Sequence, residues 1–323
     1  MSNGTVTEAL ITPKSARAGR GQRPVGRRSP MRAIGGWRSF LWVIPGLALI
    51  AVFVYYPLLE NIYLSFFQWS VFKPVPEFVG AANYVQAAND PIFWRSLFNN
   101  TAYAIVSLIF QVAGALVLAA LVETYVRKHG GILRAIYFIP SAISLTVAGL
   151  LFYFIYQPQT GLLNEFLRIV GLGQYAQAWL GQESTAIWAI IVMSQWQSFG
   201  YTTLLYSVAI QRIPRELYDA ADLDGVGPLS RIWHITTPLV REMSTLLIIV
   251  TVTGAFQVFN EVMVMTAGGP NNSSQVLGTW LYHAGFINNE FGYAAAIATV
   301  VFVITTVLAV VQLWISRRRR VEW

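Results

Sequence analysis

Six long apolar stretches without a charged residue constrain the fold of this chain more than any other feature. A helix needs about 20 apolar residues to cross the hydrocarbon core of a bilayer. Lipid offers no water to satisfy backbone amides, so each stretch is predicted to be a helix. The sequence therefore predicts an all-α polytopic membrane protein with six transmembrane helices, at 39–59, 96–122, 135–164, 184–211, 243–260 and 291–316.

The composition excludes a soluble protein built around a single core. Of 323 residues, 55% are hydrophobic and 11% are charged, whereas soluble domains carry about 25% charged residues. The chain has no cysteine, which excludes disulfides, thiol catalysis and thiolate metal sites.

Prolines and one acid refine the predicted helices. Pro140 and Pro158 are predicted to bound the third helix, and Pro57 to bend the first, because proline removes an amide donor. The fifth stretch is short but continues through Glu261 into further apolar residues. This gives a predicted span from Met243 to Met265.

Basic residues alternate between the segments that separate the helices. Nineteen of the 22 Lys and Arg residues fall on one side of the predicted membrane domain, 39–316, and three on the other. The positive-inside rule then places both termini in the cytoplasm. The basic tail 317–323 begins with Arg317–Arg320, which is predicted to stop the last helix; a patch for acidic lipid or nucleic acid is the alternative. Residues 1–38 are rich in Arg, Gly and Pro and predict a disordered cytoplasmic tail.

The loops on the opposite side are rich in aromatic residues, which typically anchor a membrane protein at the lipid–water interface. The segment 61–95 contains several turn-forming residues and is predicted to be ordered, with a surface for an external partner. Gly268–Asn272 predicts a turn, and 276–287 predicts a short helix in the interface.

One predicted cytoplasmic loop, 212–242, holds nine charged residues. Residues 213–224 predict a helix, with a proline suited to its first turn. Gly225 and Gly227 end this helix, and 228–234 begin a second short one. The apolar and small residues of the first helix share one face: Ile213, Leu217, Ala220 and Ala221. The loop is therefore predicted to project as a compact helix, turn and helix.

A spaced motif runs through this loop. Asp219-Ala220-Ala221 is followed after three residues by Gly225, and after nine more by Ile235-Thr236-Thr237-Pro238. This resembles the hallmark loop of the permease subunits of binding-protein-dependent ABC importers, especially the maltose and glycerol-phosphate branch that carries sugars. That loop reads Glu-Ala-Ala, three residues, Gly, nine residues and Ile-x-Leu-Pro, so Asp219 stands for Glu and Thr237 for Leu. Further resemblances cover most of 40–316, at Phe78–Tyr84, Gly268–Pro270 and Gly292–Ala296.

The resemblance implies a role for each residue of the motif. In that family the loop is a coupling helix that docks in a cleft of a separate ATPase subunit. By position, Asp219 would offer a carboxylate to the ATPase, Ala220 and Ala221 a close-packing face, and Gly225 the turn. Ile235 and Pro238 complete the motif. An ordinary amphipathic loop helix is the alternative.

The resemblance also implies partners. The assembly would lie in the inner (plasma) membrane of a bacterium, in contact with membrane lipid, and would contain a second homologous permease subunit, two ATPase subunits and an extracytoplasmic sugar-binding protein. ATP and Mg are expected in the ATPase subunits. This chain has no Gly-rich phosphate loop, so it is expected to be no enzyme and to bind no cofactor or nucleic acid. Its three histidines lack the spacing of a metal site: His129, His234 and His283.

Polar residues on two predicted helices form stripes that we interpret as a substrate pathway, since polar groups inside spans usually face protein or water. A sugar suits them, because its hydroxyls need neutral donors and acceptors and its ring faces pack on aromatic rings. Hydrogen bonding between helices, worth about 0.6 to 2 kcal/mol per bond, is the alternative. The candidates are Ser194, Trp196, Gln197, Ser198 and Tyr201 in the fourth span, and Thr253, Phe256, Gln257, Asn260 and Glu261 in the fifth.

Glu261 is the one acid expected near membrane depth. It would suit a cationic or proton-linked substrate, but its place near the outer end of the fifth helix favours an interfacial carboxylate. The resulting prediction is a permease subunit that moves a sugar or sugar-like solute into the cytoplasm by alternating access. Two rivals are a self-sufficient secondary transporter, which predicts ionisable residues at mid-membrane and internal repeats, and a membrane-embedded enzyme, which needs clustered His, Asp or Glu. The sugar itself stays open.

Overall fold

The structure, a computed structural model, describes residues 37–125 and 130–317. The predicted tail before residue 37, His129 and most of the predicted stop at Arg317–Arg320 therefore lie outside the described residues. The chain divides into two compact units, Met1–Tyr55 and Tyr56–Trp323.

The first candidate span runs over Trp42–Leu64, 23 residues, and so ends five residues later than predicted. Its α-helical parts are α1 (Trp37–Ile50), within the first unit, and α2 (Tyr56–Leu64), which opens the second unit. A π-helical segment, Ala51–Tyr55, lies between them. Because Pro57 has no amide to donate to the carbonyl four residues earlier, the regular ladder is interrupted there. A π-helical segment therefore precedes Pro57, and the bend predicted there stays a prediction.

A β-hairpin follows, which the sequence did not predict. Strands β1 (Phe67–Ser70) and β2 (Lys73–Phe78) pair antiparallel, with Phe67 opposite Phe78 and Gln68 opposite Glu77. The next helix is α3 (Ala82–Asn89). Its Asn83 side chain donates to the carbonyls of Ser65 and Phe67, at 2.8 and 2.9 Å, and so holds the hairpin in place. The fold is thus mostly helical rather than all-α, and the segment 61–95 is ordered as expected.

The second candidate span, Pro91–Thr124, is a 34-residue helical segment. It comprises α4 (Pro91–Ser107), a π-helical segment (Leu108–Gly114) and α5 (Ala115–Tyr125). Asp90 caps it, because its carboxylate accepts a bond from the Ile92 amide at 2.8 Å. The span begins before the predicted residue 96, since Arg95 lies inside the helix.

The third stretch is predicted to be one helix, but it forms two helices that meet at 90°. Helix α6 (Gly130–Ala142) ends beyond Pro140, and α7 (Leu145–Ile155) begins after Ser144, whose hydroxyl accepts from the Val147 amide. Pro140 therefore lies inside a helix instead of bounding one. After α7 come a short helix, α8 (Leu162–Ile169), and a 3-10 turn, Gly173–Tyr175.

The fourth stretch forms one helix, α9 (Ala186–Ile210). The loop after it contains α10 (Arg215–Leu223), α11 (Pro228–Arg231) and α12 (Thr237–Leu239), with a π-helical segment, Ile232–Thr236, before the last. The predicted helix, turn and helix is confirmed.

The fifth stretch is also interrupted. Helix α13 (Arg241–Phe256) stops at Gln257, and α14 (Asn260–Met265) begins after two further residues without helical geometry. The continuous span predicted from Met243 to Met265 is therefore wrong. Helix α15 (Leu277–Tyr282) with its π-helical extension (His283–Ile287) matches the short helix predicted there, and α16 (Phe291–Arg317) is the last span.

Among the described residues, three helical segments are long and apolar enough to cross a membrane, or five if each of two bent pairs is one span. Helix α9 is 25 residues long, about 38 Å at 1.5 Å per residue, but it carries polar side chains through its middle. Its residues are central to the packing, since Ile190, Ile191 and Met193 lie in one buried apolar cluster and Tyr206 in a second.

Helices α6 and α9 touch backbone to backbone at Gly200. A Cβ atom placed on Gly200 would lie 1.9 Å from the carbonyl oxygen of Tyr137 and 3.0 Å from the Cα of Phe138. Only glycine permits this approach.

We expect Gly200→Ala to destabilise the protein by about 1–3 kcal/mol, because the added methyl group must push α6 away from α9. The thermal unfolding midpoint of the purified protein, measured in one detergent, reports the loss. Gly254→Ala is the matched control, since it is also a helical glycine and has no atom within 4 Å of its Cβ position. Equal midpoints for the two variants would contradict the packing argument.

Candidate functional site

The corner between α6 and α7 is seated on α9. The Ser141 hydroxyl donates to the Gln197 carbonyl at 2.6 Å and accepts from the Tyr201 amide at 3.0 Å. These two backbone groups lie four residues apart and so belong to one turn of α9. The Gln197 side-chain amide donates to the Ile143 carbonyl, at 3.1 Å, where the corner breaks the helix. Gln197, a predicted pathway residue, therefore has a structural use here.

The other predicted residues of α9 divide between buried and open positions. Ser194 is buried, whereas Trp196 is partly exposed and packs on Phe152, with ring centroids 5.1 Å apart. Ser198 is partly exposed and donates to the Gln197 side-chain oxygen at 2.9 Å. Tyr201 exposes half of its surface. Trp196, Ser198 and Tyr201 thus remain available to a solute.

The fifth stretch places its candidates around the break between α13 and α14. Gln257 and Asn260 are exposed, and neither side chain has a hydrogen-bond partner within the described ranges. Thr253 is partly buried, and Phe256 is buried in the apolar cluster. The break therefore presents two open side-chain amides, the neutral donors and acceptors that a hydroxylated solute needs.

Glu261 is buried, with only 3% of its surface exposed. The Tyr103 hydroxyl donates to its carboxylate at 2.7 Å and also contacts the Ser194 hydroxyl. Because a phenol has one proton to donate, the Ser194 hydroxyl must donate to the tyrosine oxygen. Glu261 is thus enclosed by protein side chains, and the interfacial depth expected for it stays a prediction. This chain of hydrogen bonds joins the two predicted stripes through α4.

Two adjacent asparagines on α4 hold the backbone where α13 ends. Asn100 donates to the Ala255 carbonyl at 2.7 Å and accepts from the Leu277 amide at 2.8 Å. Asn99 donates to the carbonyls of Ser273 and Gln275, at 2.8 and 2.7 Å. Asn99, Asn100 and Tyr103 were not among the residues predicted from the sequence. Two adjacent amides in an uncharged stretch could have indicated this site, because polar groups are costly inside a span.

Gln195, next to the α9 stripe, bonds only within the helix packing. It accepts from Gln111 at 2.9 Å and donates to Ser107 at 3.1 Å, and all three side chains are buried. For these residues the interpretation as hydrogen bonds between helices holds.

The helix pair formed by residues 215–239 turns at Gly225. Its φ of +68° lies in the left-handed region, which glycine adopts without the steric cost of a side chain. The Val226 amide closes the turn by donating to the Ala221 carbonyl at 2.9 Å. Ile213 and Ala221 are buried. Leu217 and Ala220 are predicted to lie on the same face as Ile213 and Ala221, but both are exposed. This chain covers only one side of α10.

Side chains brace the same turn. Arg231 donates to the Val226 carbonyl at 2.7 Å and forms an ion pair with Asp222. The Tyr218 and Thr236 hydroxyls are hydrogen-bonded at 2.9 Å, and burial raises the pKa of Tyr218 although this bond opposes the shift. The two short helices are therefore fixed relative to each other, with Ile235 partly buried and Pro238 exposed.

A polar cavity of about 480 Å³ lies behind α10. Glu123 and Arg134 pair on its wall at 3.0 Å, and Gln211 donates to Glu123 at 3.2 Å. Asp219 is exposed at this cavity and has no partner among the described side chains. Its carboxylate is available to another molecule.

The outer surface of the helix pair carries large apolar side chains in a loop that is otherwise charged. They are exposed: Leu217, Leu223, Leu229 and Trp233. Exposed apolar side chains around charged ones are typical of a protein-binding surface.

Comparison with known proteins gives matches along most of the chain. Residues 112–321 match the family described as "Binding-protein-dependent transport system inner membrane component". The probable ABC transporter permease protein YurN of Bacillus subtilis (strain 168) is 50% identical over 275 residues, which cover 85% of this chain and 94% of YurN. The lactose transport system permease protein LacF of Rhizobium radiobacter is 31% identical over 290 residues, covering 89% and 95%.

A solved structure shares the fold. The crystal structure of a bacterial ABC transporter involved in the import of the acidic polysaccharide alginate matches with a TM-score of 0.76 at 22% identity, and covers 87% of this chain and 96% of that chain. The family match spans more than half of this chain, and it includes α9, the helix pair and α13. The chain belongs to the family of binding-protein-dependent transport system inner membrane components.

Proposed function

We propose that this chain is one of two permease subunits of an ATP-driven importer that moves a sugar or sugar-like solute into the cytoplasm by alternating access. The observation that carries the proposal is the helix pair at 215–239, which presents Asp219 unpaired beside exposed apolar side chains. The printed functions of LacF and of the alginate transporter, both saccharide import, support the substrate class.

We propose six spans, assigned from the described helices. They are the three long helical segments, the α6–α7 pair, α9, and α13 with α14. We assign 228–239 to the cytoplasmic helix pair rather than to a span. The distribution of Lys and Arg supports this topology, with both termini in the cytoplasm.

The solute pathway is proposed along the open residues of the two stripes. Trp196 and Tyr201 supply aromatic faces, and Ser198, Gln257 and Asn260 supply neutral hydrogen-bonding groups. Thr253 lies beside them. Ser194, Gln197, Phe256 and Glu261 would position these residues rather than contact solute in this conformation, since three are buried and Gln197 is bonded to the α6–α7 corner.

Energy transfer follows from how the chain is connected. The helix pair is joined directly to α9 before it and to α13 after it, so it is linked to both stripes. A displacement of a braced helix pair is transmitted to both helices. ATP and Mg would bind in two separate ATPase subunits, and an extracytoplasmic binding protein would deliver the solute to the opposite face.

Purification of the tagged chain from its native host in mild detergent tests this assembly. We expect a second permease and a nucleotide-binding subunit to co-purify, and ATP hydrolysis by the complex to rise when the matching sugar and its binding protein are added. Recovery of the chain alone, still moving solute under an ion gradient, would instead establish the secondary transporter.

Charge reversal at Asp219 should uncouple transport. We expect Asp219→Lys to lower sugar uptake at least tenfold, the equivalent of about 1.4 kcal/mol, while the complex still hydrolyses ATP. Asp219→Glu should retain uptake, and Asp224→Lys is the matched control on the same exposed segment. Sugar uptake is measured in reconstituted vesicles. Full uptake by Asp219→Lys would contradict a role of Asp219 in coupling ATP hydrolysis to transport.

Gly225→Val should uncouple transport for a different reason. A β-branched residue is strained at a φ of +68°, so the turn between the two short helices must change shape. We expect membrane insertion to be unchanged and sugar-stimulated ATP hydrolysis to fall. Unaltered stimulation would show that the turn does not set the coupling geometry.

Removal of the two open side-chain amides should weaken binding of the solute in the pathway. Each lost hydrogen bond contributes about 0.5–1.5 kcal/mol, so we expect Gln257→Ala together with Asn260→Ala to raise the sugar concentration for half-maximal uptake by roughly tenfold or more. Thr305→Ala is the control, because its hydroxyl bonds only to its own helix. An unchanged half-maximal concentration in the double variant would remove these residues from the pathway.

A further inference from the structure

One face of helix α8 is an exposed ridge of three apolar side chains. Leu162, Phe166 and Ile169 expose 70%, 59% and 76% of their surfaces, and their spacing of four and three residues places them on one face. Val170, Leu172 and Tyr175 continue the exposed apolar surface beyond the helix. This surface lies beyond the end of α7 and has no explanation in the proposed pathway.

The opposite face fixes α8 firmly to the protein. Asn164 is buried, and its side-chain amide donates to the carbonyls of Pro158 and Gln177, at 3.1 and 2.9 Å. Its oxygen accepts from the Gln177 amide and from the Trp179 indole, at 3.2 and 2.8 Å. Leu163 packs against the apolar cluster. The hydrogen bonds of Asn164 therefore fix the orientation of α8, so that the ridge faces away from the protein.

The charged residues of α8 lie on its flank and pair with each other. Arg168 and Glu165 form an ion pair at 3.0 Å, and Arg168 also donates to the Gln159 carbonyl at 3.3 Å. The ridge itself carries no polar atom that would specify a protein partner. A helix that lies in a membrane interface typically has an apolar face beside a polar one. In α8 the charged side chains of the polar flank pair with each other.

The apolar ridge follows a candidate membrane span along the chain. Helix α7, which precedes α8, exposes a stripe at helical spacing: Val147, Leu150, Leu151 and Phe154. Together with α6, this helix is apolar enough to be part of a span. Exposed apolar side chains on a span are suited to contact with hydrocarbon, and α8 follows α7 along the chain after six residues.

We propose that α8 lies flat in the outer lipid–water interface, with Leu162, Phe166 and Ile169 buried in lipid acyl chains and the Glu165–Arg168 pair at headgroup level. The sidedness rests on the topology given under the proposed function. In this position α8 anchors the outer end of the bent α6–α7 span to the membrane surface.

The absence of cysteine from the chain makes a direct test possible. Single-cysteine variants at Leu162, Phe166 and Ile169, and matched flank variants Glu165→Cys and Arg168→Cys, are spin-labelled in the whole importer reconstituted in phospholipid nanodiscs. Collisions of each label with oxygen, which concentrates in lipid, and with a water-soluble nickel chelate are compared. We expect ridge labels to favour oxygen and flank labels to favour nickel.

Two results would overturn the proposal. Ridge labels that favour nickel would place the ridge in water, and ridge labels shielded from both reagents would place it against another protein subunit. Sidedness is read separately, by reaction of Glu165→Cys with a membrane-impermeant maleimide added outside intact spheroplasts. Failure of that reaction, with ridge labels still in lipid, would contradict the proposed topology and leave the lipid contact standing.

Discussion

Backbone groups freed where a helix breaks inside a membrane have no water to bond, and this constraint determines much of the structure. At the α6–α7 corner, the Gln197 side chain supplies a partner for the Ile143 carbonyl. At the end of α13, Asn100 covers the Ala255 carbonyl. Both breaks are therefore held by side chains of neighbouring helices, and the neighbours α4 and α9 become the fixed framework.

The same constraint explains why polar residues in the spans have two uses. Asn99, Asn100 and Gln195 are buried and hydrogen-bonded, whereas Gln257 and Asn260 are open. Amides serve both purposes, because they carry donors and acceptors without the cost of burying a charge. A stripe of polar residues thus locates the region of a pathway, and burial then separates the residues that frame it from those that face it.

Local sequence predicted the parts of the fold that local forces decide. Long uncharged runs located the helices, and the glycine at 225 located the turn of the helix pair, where φ is positive. The breaks at 143–144 and 257–259 could not be predicted, because their partners lie on other helices. The β-hairpin was missed for the same reason, since Asn83 holds it from outside the strands.

The faces of α10 show where periodicity stops being informative. It correctly grouped Ile213 with Ala221, but it added Leu217 and Ala220, which this chain leaves uncovered. An apolar face that a partner protein covers looks the same in the sequence as one that the chain covers itself. The distinction needs the structure, and the exposed Leu223 and Trp233 belong to the same surface.

The seating of the α6–α7 corner on α9 determines which parts of the protein move as one body. Separating them would strip the Ile143 carbonyl and the Ser141 hydroxyl of their partners and would break the backbone contact at Gly200. Helices α6, α7 and α9 therefore form a rigid wall. In the proposed importer, a passage beside Trp196 and Tyr201 would therefore open by movement of this whole wall rather than of one of its helices.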